Sequence, residues 1–190
     1  MKKYQKSSAL SLVFLLSAMA CAVAAPAGDV CKSSVQGLPV DTNEGKTADA
    51  DFAKKAAAGG MFEVQAAKLA KQNGSSDAVK DFADMMIKDH TGVNKKLKEI
   101  AGRKNIELPA SLPEDKTRKL SALGQLSGEE FDRAYAQEMV SSHQETIALF
   151  EEEANSGEDE DLKSLAEETL PTLRHHLAEA ESLDKGSEGR

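Results

Sequence analysis

Apolar residues recur every three or four positions along most of the chain, which is the period of an α-helix with one buried face. The pattern predicts four long helices, over 49–73, 76–104, 127–156 and 159–184, and a short helix over 114–123. No segment alternates apolar and polar residues in the way that a half-buried strand does. The chain is therefore predicted to be all-α. Ser127 and Glu130 have the spacing of a capping box, which would begin the third long helix.

The segments between the long helices predict how these helices pack. Gly74-Ser75 and Ser156-Gly157 are tight turns, so the first and second long helices are expected to be antiparallel neighbours, as are the third and fourth. Residues 105–126 contain Pro109 and Pro113 and are long enough to traverse a bundle. Two antiparallel hairpins joined by one long crossover predict a ferritin-like four-helix bundle.

One sequence phrase occurs twice, as FADMMIKDH at 82–90 and as YAQEMVSSH at 135–143. Each copy begins with an aromatic residue and has a Met one helical turn before its His. The apolar stripes place His90 and His143 on the buried faces of their helices. Because the crossover would make these two helices parallel, the repeat indicates a duplicated hairpin element with two histidines facing one interior point.

Two further polar residues lie on the apolar faces of the other long helices. His176 belongs to the stripe of the fourth helix, whereas its neighbour His175 shares a face with charged residues and is expected to point outward. Glu63 lies among glycines and alanines, which either allow close approach of another helix or leave space beside its carboxylate. At a rise of about 1.5 Å per residue, all four heights fall within about 10 Å of one another near mid-length. The predicted interior site is Glu63, His90, His143 and His176.

Three imidazoles and a carboxylate can hold a transition metal such as Zn, Cu, Fe or Ni. Met86 and Met139 each precede a His by four residues and would be soft ligands that favour Cu(I). The alternative is a buried polar spot without a ligand, where Glu63 bonds to a His and the methionines fill the core. Asp89 precedes His90 directly, points about 100° away from it, and is predicted to be a surface charge or a helix partner.

The pattern argues against a di-metal enzyme. Di-iron and di-manganese bundles use Glu-x-x-His on two helices with a further carboxylate from each of the other two. The residues three positions before the histidines are Ile87, Val140 and Leu173, so the bridging carboxylates are missing. A ferroxidase or a manganese catalase is therefore improbable. We expect no catalytic residues and a chain that is not an enzyme.

The N-terminus has the parts of a secretory signal peptide: a basic start, an apolar stretch from Ala9 to about Ala25, and small residues after it. Ala22-Val23-Ala24 predicts cleavage after Ala24. The alternative is cleavage before Cys21, which would leave a lipid-anchored protein. Residues 25–46 lack periodicity and are predicted to be a flexible linker, with the bundle over 47–185 and a tail at 186–190. We expect an exported, periplasmic protein without a transmembrane helix in its mature form.

The negative charge of the chain argues against two kinds of anionic partner. Removing residues 1–24 takes away three lysines and no acidic residue, so the formal net charge of −8 becomes −11. Nucleic acids and anionic membrane surfaces attract basic proteins, and both are therefore unexpected partners. A protein partner or a second copy of the chain remains compatible with this surface.

From Phe52 to Leu183 the chain resembles an uncharacterised bacterial family, the domain of unknown function numbered 4142. The resemblance implies a ferritin-like bundle in an exported or outer-membrane-associated protein, and it implies no activity. It is carried by residues 57–64 (AAGGMFEV), 82–90 (FADMMIKDH), 108–109 (LP), 131–135 (FDRAY) with Met139, Val140 and His143, and 169–173 (TLPTL) with His176 and Leu177.

Two functions are consistent with these observations. The first is a non-enzymatic envelope protein with a role in stress tolerance, whose acidic helices contact a partner; the missing catalytic set favours it. The second is a periplasmic metal-binding protein that uses Glu63, His90, His143 and His176, with Met86 and Met139 as additional soft ligands. One inward polar residue per long helix, at similar height, favours the second.

Overall fold

The computed structural model describes residues 42–188, and over this range the protein is all-α. Its five helices are α1 (Thr42–Asn73), α2 (Asp77–Lys104), α3 (Glu114–Gly124), α4 (Gly128–Ser156) and α5 (Glu160–Glu188). In the described range, β-pairing is limited to an isolated bridge between Gly74 and Gly128. None of these helices is both long enough and apolar enough to cross a membrane. The predicted signal peptide, Cys21 and most of the predicted linker lie outside the described residues.

Two helix ends differ from the sequence-based prediction. Residues 42–46, predicted to end the linker, already belong to α1. Residues 46–48 are exposed, so this part of α1 has no apolar stripe by which its period could be detected. At the other end, α5 continues through Gly186 to Glu188 instead of ending before the glycine. A glycine costs a helix only about 1 kcal/mol, and Gly186 sits in an exposed last turn.

Each long helix packs against two others. Helix α1 contacts α2 and α4, and α5 contacts α4 and α2, so α2 and α4 lie diagonally opposite one another. The start of α4 lies beside the α1–α2 turn, and the start of α5 lies beside the end of α2, where Lys104 pairs with Asp159 and Asp161. Neighbouring long helices therefore run antiparallel, and the diagonal pair α2 and α4 runs parallel. The short α3 packs on α1 and α4.

Two buried aspartates, which we call the turn aspartates, tie each hairpin to the turn of the other. Asp132, in the first turns of α4, accepts hydrogen bonds from the backbone N–H groups of Ser75 and Ser76 and from the Ser75 hydroxyl. Asp49, in α1, accepts from the backbone N–H groups of Glu158 and Asp159. These bonds satisfy amides that would otherwise be unpaired where α2 and α5 begin.

The turn aspartates and the repeated phrase relate different helices of the two hairpins, and the duplicated hairpin stays a prediction. Asp49 lies on α1 and Asp132 lies on α4, so the two aspartates make α1 and α4 equivalent helices of the two hairpins. The remaining helices, α2 and α5, are then equivalent to each other. The repeated phrase lies instead on α2 and α4, which occupy different places in the two hairpins. Its two copies resemble each other because both helices present the same kind of face to the centre of the molecule.

The capping box predicted at α4 does not form. Ser127 is the N-cap residue, but its side chain makes no capping hydrogen bond. Gly128 follows with a φ of 64°, in the left-handed region that favours glycine. The chain therefore does not enter α4 with the backbone geometry that directs an N-cap hydroxyl at the amide of Glu130.

The core consists of two apolar clusters with a polar layer between them. One cluster, near the α1–α2 turn, includes Phe62, Phe82 and Tyr135, and the other, near the α4–α5 turn, includes Phe52 and Phe150. Each long helix contributes one fully or almost fully buried Glu or His near the boundary between the two clusters. We call these four residues the central polar layer: Glu63, His90, His143 and His176.

Candidate metal centre

The structure brings all four sequence-predicted site residues together. None of them exposes more than 4% of its surface to solvent. Each comes from a different long helix, because a single polar residue interrupts each apolar stripe at the same depth. Glu63 lies on α1, His90 on α2, His143 on α4 and His176 on α5.

The three imidazoles form a nearly equilateral triangle. The ring centroids of His90 and His143 lie 5.5 Å apart, those of His90 and His176 lie 5.2 Å apart, and those of His143 and His176 lie 5.5 Å apart. One nitrogen from each ring lies within 4.8 Å of the corresponding nitrogens of the other two. The rings therefore converge on a common point.

Glu63 supports the triangle on the side of His90. Its Oε2 lies 3.0 Å from Nδ1 of His90, within ion-pair distance but without hydrogen-bond alignment. Its Oε1 accepts a 2.8 Å hydrogen bond from the hydroxyl of Ser142 and lies 3.9 Å from Nδ1 of His143. The carboxylate thus joins α1 to α2 and α4 at the level of the polar layer.

The other two rings are held by acceptors that fix their tautomers. Nδ1 of His143 donates to the backbone carbonyl of Met139 over 2.8 Å. Nε2 of His176 donates to Oδ2 of Asp89 over 3.1 Å. Because a carbonyl and a carboxylate only accept hydrogen bonds, the proton of each neutral ring sits on the bonded nitrogen. The remaining nitrogen of each ring therefore carries a lone pair.

Every ring has one buried nitrogen that no protein group satisfies: Nε2 of His90, Nε2 of His143 and Nδ1 of His176. The other nitrogen of each ring faces a carboxylate or a backbone carbonyl. Metal-binding histidines have this arrangement, in which an outer acceptor orients the ring and the opposite nitrogen binds the ion. Glu63 adds a buried oxygen without a hydrogen bond, so the centre offers three nitrogen donors and one oxygen donor.

Electrostatics keep Glu63 ionised. Burial raises the pKa of this carboxyl, but the neighbouring His90, with smaller contributions from His143 and Ser142, more than offsets burial and lowers the pKa to about 2. The pKa of His90 moves the opposite way: burial lowers it, and the Glu63 carboxylate outweighs burial and raises it above its usual value. Glu63 is therefore ionised near neutral pH, and its charge favours the protonated form of His90.

The other two imidazoles are neutral near pH 7. Burial lowers the pKa of His143, and the Glu63 carboxylate offsets this only in part. Burial and the charge of His90 lower the pKa of His176 to about 4, despite its hydrogen bond to Asp89. Since only a neutral imidazole can bind a metal, both rings are ready to coordinate an ion without losing a proton.

Sequence reasoning missed two residues of this site. Asp89, predicted to be a surface charge or a helix partner, contacts His176, and Ser142 had no predicted role. Each directly precedes the His of one copy of the repeated phrase. The residue directly before an inward histidine is rotated by about 100° around the helix axis, so it points toward the neighbouring helix instead of the centre. A short polar residue before each inward histidine is therefore the signal that could have identified both.

Met86 and Met139 are both fully buried. Met139 contacts the site through its backbone carbonyl, which accepts the hydrogen bond from His143. Coordination by either thioether stays a prediction. His175, in contrast, is exposed, in agreement with the expectation that it points outward.

A modest contraction would bring the ligands to bonding distance. Zinc–nitrogen bonds of about 2.0–2.1 Å at tetrahedral angles require ligand nitrogens roughly 3.3 Å apart. The ligand atoms now lie within 4.8 Å of one another, so the widest pair must close by at most roughly 1.5 Å.

Comparison with known proteins places the chain in a family. The family model described as "Domain of unknown function (DUF4142)" matches residues 37–183. The structure is similar to the crystal structure of a DUF305 fragment from Deinococcus radiodurans, with a TM-score of 0.65 and 14% sequence identity, covering 73% of this chain and 95% of that one. At this identity the likeness shows the fold alone. No curated protein sequence matches. The family match covers most of the chain, which therefore belongs to the DUF4142 family.

Proposed function

We propose that this protein binds one transition-metal ion in the central polar layer, through His90, His143, His176 and Glu63. The observation that carries the proposal is the orientation of the three rings. Each ring has its outer nitrogen next to an acceptor, and its other nitrogen is buried without a protein partner.

A polar core without a ligand explains this arrangement less well. Leaving a buried donor or acceptor unsatisfied costs about 1–3 kcal/mol for each group. The three imidazoles have three such atoms, one on each ring, whereas the unbonded Oε2 of Glu63 lies at ion-pair distance from His90. A buried water molecule can satisfy several of them. Metal analysis separates these two occupants directly.

The donor set favours a first-row metal of intermediate softness. Imidazole nitrogen suits Zn, Cu, Fe and Ni, whereas Mg and Ca prefer oxygen ligands. The Glu63 carboxylate contributes one negative charge, which offsets half the charge of a divalent ion. His143 and His176 are neutral and add no charge, and His90 must lose the proton that the Glu63 carboxylate favours before it can bind, so a divalent ion replaces that proton in the buried centre.

The proposal extends to architecture and location. The antiparallel pairs α1–α2 and α4–α5, joined through α3, support a ferritin-like four-helix bundle.

The basic and apolar pattern of residues 1–24 supports export to the periplasm, with lipidation of Cys21 as the alternative. Because the Glu-x-x-His pairs of di-metal enzymes are missing, we propose a non-enzymatic role in holding or carrying the ion.

Elemental analysis and titration calorimetry test this function. The purified protein is expected to bind one Zn²⁺, Cu²⁺, Fe²⁺ or Ni²⁺ per chain, with a Kd below about 1 μM, which corresponds to roughly 8 kcal/mol. The double variant His90→Ala plus His143→Ala is expected to lose this binding because two of three nitrogen donors are gone. Circular dichroism checks that the variant stays helical.

His175→Ala is the matched control. It removes an exposed imidazole from the residue next to His176, so it changes the histidine content without touching the layer. Unchanged affinity in His175→Ala with lost affinity in the double variant would support the proposal. If none of the four ions binds more tightly than about 1 μM, or if the double variant binds as the native chain does, the proposal is wrong.

A further inference from the structure

A buried metal centre needs a route from solvent, and the structure indicates where this route begins. The three imidazoles are each held by one acceptor. Two of these acceptors are buried: the Glu63 carboxylate and the carbonyl of Met139. The third is Asp89, whose side chain is 30% exposed while its partner His176 is fully buried. Among these three acceptors, Asp89 alone touches both a ring of the centre and solvent.

We infer that Asp89 is the carboxylate through which a divalent cation reaches the centre, and that its hydrogen bond to His176 is the latch on the route. This inference rests on the proposed function. A cation that binds Asp89 competes with Nε2–H of His176 for the carboxylate. Losing that bond frees the His176 ring to rotate, which opens the polar layer beside a bound cation. When the ion has moved inward, Asp89 again accepts the His176 proton.

A second opening competes with this route. A groove of about 640 Å³ runs along α1 and α4 and is lined by Gly59 and Thr146, one helical turn from Glu63 and Ser142. A Cβ added to Gly59 would lie 3.8 Å from the Thr146 hydroxyl, so these helices are close together at the floor of the groove. The hydrogen bond between Ser142 and Glu63 lies beyond that floor. No such barrier lies between Asp89 and solvent, which favours the Asp89 route.

Stopped-flow uptake of Co²⁺ distinguishes the two routes, because Co²⁺ changes its visible absorption when it enters a nitrogen-rich site. Asp89→Asn keeps the shape and the acceptor oxygen but removes the charge that attracts a cation. The association rate is expected to fall about tenfold, and the remaining rate should depend less on salt concentration. Asp89→Glu, which keeps the charge, is expected to retain most of the native rate.

Two matched variants serve as controls. Asp81→Asn makes the same charge change at an exposed position of α2, and its association rate should stay within about twofold of native because steering acts locally at the route. Gly59→Leu fills the floor of the groove and should also leave the rate unchanged. Slower uptake in Gly59→Leu would overturn the inference in favour of the groove.

The association and dissociation rate constants also distinguish a role of Asp89 in metal entry from a role only in orienting the His176 ring. If Asp89 only orients the ring, Asp89→Asn weakens binding through faster dissociation and leaves the association rate at its native value, which would overturn the inference. Uptake by Asp89→Glu as slow as by Asp89→Asn would do the same. If the native chain takes up no Co²⁺ and also binds none of Zn²⁺, Cu²⁺, Fe²⁺ and Ni²⁺, the proposed function itself fails. Native uptake with no slowing in Asp89→Asn removes the Asp89 route alone.

Discussion

Buried polar side chains occupy two kinds of region in this molecule, and they differ in how fully the protein satisfies them. At the turns, both carboxylate oxygens of Asp132 and of Asp49 accept hydrogen bonds from backbone amides or a hydroxyl. In the central polar layer, every residue has a buried atom without a hydrogen bond. The turn aspartates therefore have all their acceptor oxygens satisfied within the protein, whereas the residues of the central polar layer do not.

The difference shows what distinguishes a structural polar residue from a functional one. Burial costs a polar group several kcal/mol unless it is hydrogen-bonded, so a residue kept only for stability is expected to have its partners within the protein. The turn aspartates meet that expectation. The three histidines do not: each ring keeps one buried nitrogen without a hydrogen bond, and one nitrogen of each ring lies within 4.8 Å of those of the other two. Stability and metal binding should therefore respond separately to changes in the two regions.

The largest expected loss of stability follows from removing Asp132. Asp132→Ala deletes three hydrogen bonds to the α1–α2 turn and leaves the amides of Ser75 and Ser76 without acceptors. We expect the free energy of unfolding to fall by roughly 3 kcal/mol. Urea denaturation followed by circular dichroism measures this loss.

Metal affinity of the folded Asp132→Ala protein should match that of the native chain, since the central polar layer is unchanged. Asp132→Asn, which keeps one acceptor oxygen, should lose less stability than the alanine variant. A loss below about 1 kcal/mol in Asp132→Ala would show that the turn does not depend on this carboxylate.

The second-largest predicted effect is the loss of metal-dependent stabilisation when His176 is replaced. His176→Leu replaces a buried imidazole by an apolar side chain and removes one nitrogen donor. Without metal, its free energy of unfolding should stay close to native or rise, because an unsatisfied buried nitrogen disappears. With metal at 100 times Kd, the native chain should gain about 2.7 kcal/mol, and the variant should gain almost nothing.

Thermal or urea unfolding of both proteins, each with metal and with a chelator, measures this difference. The readout is the metal-dependent gain, so a general change in packing that affects both conditions equally cancels. An equal gain in the two proteins would mean that the ion binds outside the central polar layer.

The central polar layer could be predicted from the sequence because each of its residues is recognisable from the apolar pattern of its own helix. One polar residue on each apolar stripe could be placed from the 3.6-residue period, and the depths of Glu63, His90, His143 and His176 followed from the helix rise. The turn aspartates could not be found in this way. Asp132 bonds to Ser75, which lies 57 positions earlier, and no local pattern indicates such a partner.

The errors at the helix ends and at Asp89 also have physical causes. Residues 42–46 are all polar or glycine, so this part of the sequence has no apolar period to detect. Asp89 looks like a surface residue because it is partly exposed, and its contact with His176 depends on which helix lies beside α2. Helix order was inferred from turn lengths and the inward faces from the apolar stripes, and neither predicts individual contacts between hairpins.

The smallest predicted effect lies at the α4–α5 turn and depends on pH. Glu153 is buried there, and its Oε1 has no hydrogen-bond partner. Burial, and then the negative charges of Asp49 and Asp159, raise the pKa of this carboxyl to about 7, above the value of 4.5 expected in the unfolded chain. Between these values the folded state binds the extra proton, so stability falls as the pH rises through this window.

Glu153→Gln removes that loss because an amide does not ionise. At pH 8 the variant should be more stable than the native chain by about 1–2 kcal/mol, after discounting for solvent screening, and near pH 4 the difference should vanish. Urea unfolding at both pH values measures the change. Glu152→Gln, at the exposed neighbouring position, should stay within about 0.5 kcal/mol of native at either pH. An equal gain at both pH values would mean that the amide acts by forming a new hydrogen bond, and that the α4–α5 turn tolerates an ionised Glu153 without cost.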